Sequence, residues 1–201
     1  MLAFGADKLG MSKQDIKEAV AAWREASPHI VALWRSLERA AIRAVLTTAR
    51  SKKSSRVIAS VGKIVFECDP KVLWMVLPSG RRIAYWDPFV SDDGAGHKTL
   101  TYMGNDQKQN KKWTRVDTFG GKLTENLVQA TSRDALKETL LRLSDAGFDI
   151  RGHVHDEVII TEPIGGRTAE DVCAIMRTPI DWAPGLVLNA DGYECPSYRK
   201  E

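Results

Sequence analysis

Residues 150–162 read IRGHVHDEVIITE, and this stretch decides the fold. Apolar and β-branched residues lie on both sides of a charged centre formed by His155, Asp156 and Glu157. Two short apolar runs joined by a few polar residues are typical of a β-hairpin with a tight turn. The stretch therefore predicts a hairpin that carries three polar side chains at its tip.

The carboxylates of Asp156 and Glu157 suggest a metal site. Adjacent strand residues point to opposite faces, but a turn relaxes this rule and brings two carboxylates near one point. Carboxylate oxygens suit Mg²⁺, and two magnesium ions that hold the attacking and leaving oxygens are common in phosphoryl transfer. Taken alone, however, the triplet is more typical of an ordinary exposed turn. The preceding residues decide between these interpretations.

A long helix is predicted before the hairpin, from Lys122 to the exit at Asp145-Ala146-Gly147, where Gly147 can adopt a left-handed conformation. Its apolar residues are expected to hold one side of the helix: Leu123, Leu127, Ala130, Leu136, Leu140 and Leu143. Asn126, Gln129 and Arg133 repeat at spacings of three and four residues, which places them on one face. Amide and guanidinium groups on such a face could reach base edges and phosphates of a nucleic-acid groove. An amphipathic surface helix explains the charges of this segment but explains that spacing less well.

The remaining chain predicts a helical hairpin, several strands and a last helix. Residues 12–48 read as two helices, with a capping box at Ser12 and with Pro28 at the second start. An apolar stripe is expected on the second helix: Ile30, Leu33, Trp34, Leu37, Ala41 and Val45. Strand-like segments follow at 63–67, 72–77, 82–86 and 99–103, with a loop at 90–98, a helix at 168–177 and an irregular end from Asp181.

Two segments are rich in basic residues and read as loops. Residues 50–56 favour a solvated connection over a nucleic-acid contact. In the second segment, basic residues surround Trp113 and include Lys108, Lys111, Lys112 and Arg115. Aromatic and basic side chains together suit nucleic-acid binding, although a solvated loop anchored by one buried tryptophan explains the segment equally well.

Composition sets limits on the class of protein. The chain has 201 residues, of which 43% are hydrophobic, and this length allows one domain or two small ones. Its net charge of +3 neither requires nor excludes a polyanionic partner. The three cysteines have no CxxC spacing, which favours reduced thiols. No apolar run approaches the ~20 residues of a membrane span, and the first residues lack the pattern of a secretory signal. We therefore expect no membrane association and a cytoplasmic location.

Residues 120–134, GGKLTENLVQATSRD, followed by HVHDE at 153–157, resemble the C-terminal half of a family A DNA polymerase. This is the DNA polymerase I family, and the wording is most similar to its phage-type branch. The resemblance covers almost the whole chain, including the ending at 181–200. It implies an α+β fold with a partial polymerase palm, in which a long helix packs on an antiparallel sheet, plus a helical hairpin from the fingers. Residues 1–50 would be the C-terminal part of the fingers, and residues 51–201 the palm portion with motif C and the natural C-terminus.

The resemblance also implies roles for individual residues. Asp156 would be the motif C aspartate that helps to hold catalytic Mg²⁺, and Glu157 would tune the site or bind metal more weakly. His155 would contact the primer terminus. The remaining implied DNA contacts divide between the minor groove (Gln129 and Asn126) and the phosphates (Lys122, Arg133 and Arg115). The implied activity is template-directed addition of deoxynucleoside triphosphates (dNTPs) to a primer 3′-hydroxyl during DNA replication. The resemblance also implies that this takes place in the cytoplasm of a bacterium or a phage-infected bacterial cell.

Two motifs of that family are not found. No DYS-like motif A is present to supply the other metal-binding carboxylate, and residues 1–12 are similar to the segment that follows the Tyr-Gly of motif B. The two-metal site would then be only partly supplied by this chain, and we expect no polymerisation by the chain alone. Three origins fit: a truncated or degenerate prophage product, a fragment of an incompletely recorded gene, or half of a split polymerase. The resemblance implies primer–template DNA and dNTP as partners, and in the last case also a separate N-terminal chain with motifs A and B.

Two other classes of function stay open. One is a non-catalytic DNA-binding remnant in which the basic segments 50–56 and 108–115 dominate, with binding that depends steeply on salt. The other is a structural protein unrelated to DNA, which would require the resemblance of the helix and hairpin to be accidental.

Overall fold

The computed structural model describes residues 12–51, 57–92, 94, 96–106 and 112–198. Within these ranges the fold is α+β, as predicted. The helices are α1 (Lys13–Ala26), α2 (Pro28–Arg50), α3 (Gly120–Asp145) and α4 (Ala169–Met176). The strands are β1 (Val57–Val61), β2 (Ile64–Cys68), β3 (Val72–Val76), β4 (Arg82–Asp92), β5 (Lys98–Asp106), β6 (Lys112–Thr118), β7 (Asp149–Val154) and β8 (Glu157–Thr161). Strands β1 to β6 form one sheet in sequential order, and β7 and β8 form a separate hairpin.

The predicted helical hairpin is confirmed as α1 and α2. Ser12 Oγ accepts from the Asp15 backbone N–H at 3.1 Å, and the Asp15 carboxylate accepts from the Ser12 N–H at 2.8 Å. Proline occupies the first turn of α2, where its missing N–H costs nothing. Trp23 of α1 stacks on Trp34 of α2 with 5.5 Å between ring centroids. One expectation is wrong: Ile30 is 43% exposed, so the buried stripe of α2 begins further along the helix.

The six-stranded sheet departs from prediction in three places. Strand β4 continues to Asp92, through part of the segment predicted as a loop. The second basic segment was wrongly predicted as a loop, because residues 112–118 form β6 and pair antiparallel with β5. Strand β1 was not predicted. Lys108 and Lys111, like residues 52–56 of the first basic segment, lie outside the described residues.

The chain divides into two compact units. The first comprises the described residues of Met1–Val61, Phe66–Leu73 and Ala84–Thr124, and its core includes Leu37, Phe66, Leu73, Tyr85 and Leu100. The second comprises those of Gly62–Val65, Trp74–Ile83 and Glu125–Glu201, with Met75, Leu136, Leu143, Phe148 and Cys173 in its core. The division into fingers (1–50) and palm (51–201) stays a prediction. No helix in the described ranges combines the length and apolarity needed to span a membrane.

The buried side of α3 is broader than expected. Leu123, Leu127, Leu136 and Leu143 are buried as predicted, but Thr124, Asp134 and Thr139 are buried as well. These positions surround most of the helix rather than one stripe, because different turns of α3 are buried on different sides. The expectation of a single apolar side is therefore wrong, although the helix itself is confirmed.

Candidate metal and nucleic-acid site

The predicted hairpin is confirmed, and its tip carries the charged triplet. Val154 lies opposite Glu157 in the β7–β8 ladder, so His155 and Asp156 are the two central residues of the turn. His155 has a φ of +52°, whereas Asp156 has no positive φ. A positive φ at the first central residue alone is characteristic of a type II′ turn, whose twist suits a β-hairpin.

The conformation of His155 favours a functional interpretation of the turn. Glycine is the residue favoured at the first position of a type II′ turn. A non-glycine residue in the left-handed region costs on the order of 1–3 kcal/mol, and such residues cluster at functional sites. The turn geometry therefore does not explain why histidine occupies position 155.

The two carboxylates at the tip are available for a ligand. His155, Asp156 and Glu157 are all exposed. Over the described ranges, neither the Asp156 nor the Glu157 carboxylate makes a hydrogen bond or an ion pair. Two adjacent, unpaired carboxylates fit Mg²⁺, which typically takes one or two carboxylates and completes its shell with water and substrate phosphates. No group of three or more His, Cys, Asp or Glu side chains suited to a metal occurs in the described residues, so a metal at the turn would need ligands beyond Asp156 and Glu157.

The face of α3 predicted to contact DNA is largely accessible. Gln129 and Arg133 are exposed, and Asn126 is half-buried. Within the described part of the chain, neither Gln129 nor Arg133 has a hydrogen-bond or ion-pair partner. Lys122 is exposed four residues before Asn126 on the same helix. The DNA contacts of these residues stay predictions.

A buried aspartate fixes this part of α3, and sequence reasoning missed its role. Asp134, only 7% exposed, accepts from Ser79 Oγ and from Arg81 Nε, both at 2.5 Å. The Arg81 Nη2 also donates to the Ala130 carbonyl at 2.6 Å. These bonds hold the β3–β4 turn against the helix directly beside Arg133. The pairing joins residues 53 positions apart, and no local pattern indicates it.

Arg115 lies in β6 and is already engaged by the protein. Its guanidinium forms an ion pair with the Asp87 carboxylate and donates to the Asp87 carbonyl at 3.0 Å and to Thr101 Oγ1 at 3.1 Å. The guanidinium also lies 5.9 Å from the centroid of the Phe89 ring. Its predicted phosphate contact is untested, and a phosphate there would have to compete with Asp87.

The aromatic residue of the same segment points outward. Trp113 is 54% exposed, so it does not anchor a loop in the core. Trp113 lies on the same sheet face as Arg115, because the two residues are two positions apart in β6. Trp113 pairs with Asn105 of β5, and Arg115 pairs with Met103. The sequence therefore predicted correctly that an aromatic and a basic side chain lie together, but it predicted a loop where the structure has strand β6.

The structure gathers the predicted site residues into separate groups. Lys122 and Arg115 belong to the first unit, and the others belong to the second. Within the second unit, one group lies along the exposed face of α3 and the other lies at the β7–β8 tip: Asn126, Gln129 and Arg133 in the first group, and His155, Asp156 and Glu157 in the second.

Comparison with known proteins provides a curated relative. A DNA polymerase of Bacillus phage SP02 is 41% identical over 202 residues, a match that covers 100% of this chain and 30% of that polymerase. The matched region is the C-terminal part of the phage protein. The chain matches no protein-family profile, and no solved structure matches it. The resemblance to a phage DNA polymerase is thereby confirmed, for a chain that spans less than a third of the length of this relative.

Proposed function

We propose that this chain is the C-terminal portion of a DNA-directed DNA polymerase of family A that acts in DNA replication. The observation that carries the proposal is the 41% identity to the phage SP02 DNA polymerase, which extends over the whole chain. The geometry supports it, because the His155–Glu157 triplet lies at the tip of a hairpin that follows the long helix α3. The hairpin would then be motif C, and the surrounding fold part of a palm.

In this proposal the turn at the hairpin tip holds the catalytic metal. The family resemblance makes Asp156 the principal ligand and Glu157 the weaker one. Both carboxylates are exposed and without a partner in the described structure, so both would be free to hold a metal. Bound Mg²⁺ would stabilise charge on the attacking 3′-hydroxyl oxygen and on the leaving pyrophosphate oxygen. His155 is held by the turn beside these carboxylates, where its ring can donate to the primer terminus.

The exposed face of α3 is suited to DNA contacts that do not depend on the base sequence of the DNA. Every base pair presents acceptor atoms in the minor groove, at purine N3 and pyrimidine O2. The amide groups of Gln129 and Asn126 can donate to these acceptors at any base pair, which a polymerase that copies any template requires. The Arg133 guanidinium one turn further along is suited to a phosphate. Asp134 positions both contacts through its bonds to Ser79 and Arg81.

The missing carboxylate cluster makes activity depend on other polymerase segments. Two metal ions need ligands beyond one pair of adjacent carboxylates. We propose that motifs A and B are supplied from outside this sequence, either by a separate N-terminal chain or by the rest of a longer one. The isolated chain then binds primer–template DNA without extending it.

A chimaeric polymerase tests the proposal. This chain replaces the matched 30% of the phage SP02 polymerase, and primer extension is measured with Mg²⁺ and all four dNTPs. We expect extension by the chimaera, none by the isolated chain, and a loss of at least about 100-fold on Asp156→Ala, since that change removes the main metal ligand. The control is Asp145→Ala, which removes an exposed carboxylate at the end of α3.

Two outcomes would count against the proposal. Extension that survives Asp156→Ala would exclude Asp156 as a metal ligand. A folded chimaera that binds DNA but does not extend a primer would favour the alternative of a non-catalytic DNA-binding remnant.

A further inference from the structure

The solvent side of α2 carries a row of arginines that the sequence interpretation did not include. Their spacing along the helix is four, four and seven residues: Arg35, Arg39, Arg43 and Arg50. At 3.6 residues per turn these positions fall within about 80° of the helix circumference and extend over about 22 Å of its axis. The buried side, which includes Leu37, Ala40 and Ala44, lies on the opposite side of the helix. We call these four residues the arginine row.

The charge of the arginine row is not neutralised by any residue that the structure describes. Arg35, Arg39, Arg43 and Arg50 are exposed. As far as the structure describes the chain, none of the four forms an ion pair, and the only side-chain hydrogen bond is from Arg39 Nε to the Arg35 carbonyl at 3.2 Å. Four guanidinium groups without acidic partners produce a strongly positive surface in a protein whose net charge is only +3.

The row also borders a groove of about 560 Å³ in the first unit. One wall is α2, with Arg39, Arg43 and Arg50, and the other includes His97, just before β5, and Lys98, the first residue of β5. Among the described residues, the acidic groups nearby are Glu38, which lines the groove, and Asp92, which pairs with Lys98 at 3.1 Å. Within this described set, cations therefore outnumber anions along the groove.

We propose that the arginine row is a nucleic-acid site that binds the phosphate backbone, distinct from the α3 residues. The proposal rests on the proposed function only in choosing DNA as the polyanion. A DNA strand presents one phosphate per about 3.4 Å of helix axis, so the row can follow a linear array of several phosphates. Guanidinium groups bind phosphate oxygens in a bidentate manner, which suits arginine better than lysine. The row contains no aromatic or amide side chain, so we expect it to bind DNA phosphates without preference for base sequence.

The test compares two double variants of the full chain that remove the same charge. Arg39→Gln with Arg43→Gln removes the centre of the row, and Lys17→Gln with Arg24→Gln removes two exposed cations of α1. Fluorescence anisotropy gives the Kd for a labelled duplex and for a single strand of equal length, across a salt series. Circular dichroism confirms that both variants fold, as expected for exposed positions.

The salt dependence separates the outcomes. Removing two phosphate contacts should lower the slope of log Kd against log salt by about 1.8 for duplex or about 1.4 for single-stranded DNA, and raise Kd at least tenfold at low salt. The α1 control should change the slope by less than a third of that amount. An equal change in both variants, or no binding by the parent chain, would overturn the proposal.

Two further measurements distinguish DNA from an acidic protein partner and separate the arginine row from the α3 face. Polyglutamate should compete poorly with DNA, and equal competition would assign the row to an acidic protein partner instead. Gln129→Ala tests the α3 face: it should weaken binding to primer–template DNA without changing the salt slope. If Gln129→Ala leaves binding unchanged while the double arginine variant weakens it, the result contradicts the polymerase assignment but supports the arginine row as a phosphate-binding site.

Discussion

At the residue scale, His155 shows how a side chain can oppose the preference of its backbone. The β7–β8 turn needs a positive φ at this position, and the chain places histidine there at +52°. In the proposed function its ring serves the primer terminus, and the turn conformation is maintained by the two flanking strands. Stability and activity should then favour different residues at position 155.

Substitutions at His155 should reveal this conflict. We expect His155→Gly to raise the free energy of unfolding by up to about 1 kcal/mol, because glycine adopts positive φ freely. His155→Val should lower it by about 1–2 kcal/mol, because a β-branched residue is strained there. The control His153→Val lies in strand β7 and should change stability by less than about 0.5 kcal/mol. Urea unfolding measures all three, and a His155→Val protein as stable as the parent would contradict the turn geometry.

Asp134 is the other residue whose side chain decides local structure. Hydrogen bonds to a charged group contribute about 1.5–3 kcal/mol, and Asp134 accepts from both Ser79 and Arg81. Because Arg81 is 44% exposed, water can solvate its charge once the carboxylate is removed. We therefore expect Asp134→Ala to cost about 2–3 kcal/mol of unfolding free energy.

Glu138→Ala is the matched control for this prediction. Glu138 lies one turn further along α3 and pairs with Arg142 at 3.4 Å, in a partly exposed i,i+4 arrangement. Such pairs contribute about 0.3–0.5 kcal/mol. Chemical denaturation should separate the two variants clearly. Equal losses would mean that Asp134 does not hold the helix.

At the element scale, the two glycines at the start of α3 have different roles. A Cβ on Gly120 would lie 2.2 Å from the Trp34 carbonyl oxygen of α2, so the two backbones can approach only at glycine. A Cβ on Gly121 would lie 3.0 Å from the Phe119 ring, which is 60% exposed and can move. Glycine is thus required at position 120 by the close contact with Trp34, whereas position 121 can accept a larger side chain.

Alanine substitutions should therefore differ between these neighbours. Gly120→Ala forces two helices apart and should cost at least about 2 kcal/mol, in the upper range for overpacking. Gly121→Ala gains helix propensity of up to about 1 kcal/mol and should leave stability unchanged or slightly higher. Thermal unfolding of both variants is sufficient to check this. Similar melting temperatures for the two would show that α3 does not approach Trp34 closely.

The elements that sequence predicted well are those with local determinants. The capping residue Ser12 marked the start of α1, and the charged triplet between apolar runs marked the β7–β8 hairpin. A helix was also predicted from Thr168, which the structure shows to be the N-cap of α4. Strand β6 was missed because its outward face carries Trp113 and Arg115, while its inward face is built from threonine and valine. A half-buried strand usually carries apolar residues on its inward face and polar residues on its outward face. In β6 the large aromatic residue is on the outward face and threonines are on the inward face, so the sequence resembles a polar, basic loop.

The candidate site divides in the same way. The carboxylate turn and the α3 face follow from residues close together in sequence, which is why their elements could be predicted. The Asp134–Arg81 and Arg115–Asp87 pairs join distant segments and become visible only in the fold. The spacing of the arginine row is regular and can be read from the sequence, but only the structure shows that its charges have no ion-pair partner among the described residues.

At the scale of the whole molecule, the small net charge conceals an uneven distribution. A balance of 29 basic and 26 acidic residues gave no indication of a polyanion partner. The arginine row concentrates on one helix cations that have no ion-pair partner among the described residues, whereas Arg81, Arg115 and Arg177 are paired with carboxylates. Local pairing, and not the total, decides which cations remain for a ligand.

The two compact units should nevertheless unfold as one. The chain alternates between them, because β2, β3, β4 and α3 each contribute residues to both. Neither unit is therefore a continuous segment that could fold independently. Each contains one buried cysteine: Cys68 in the first, 1% exposed, and Cys173 in the second, 3% exposed. The two thiols provide one probe for each unit.

Thiol protection tests this cooperativity. Burial raises the pKa of the Cys68 thiol, which suppresses the reactive thiolate further. We expect iodoacetamide pulses at neutral pH to label the half-buried Cys195 quickly, and to label Cys68 and Cys173 only on unfolding. Mass spectrometry across a urea gradient should give the same midpoint for both buried thiols, as two-state unfolding requires. A Cys195→Ser protein removes the background signal, and different midpoints for the two buried thiols would show that the units unfold separately.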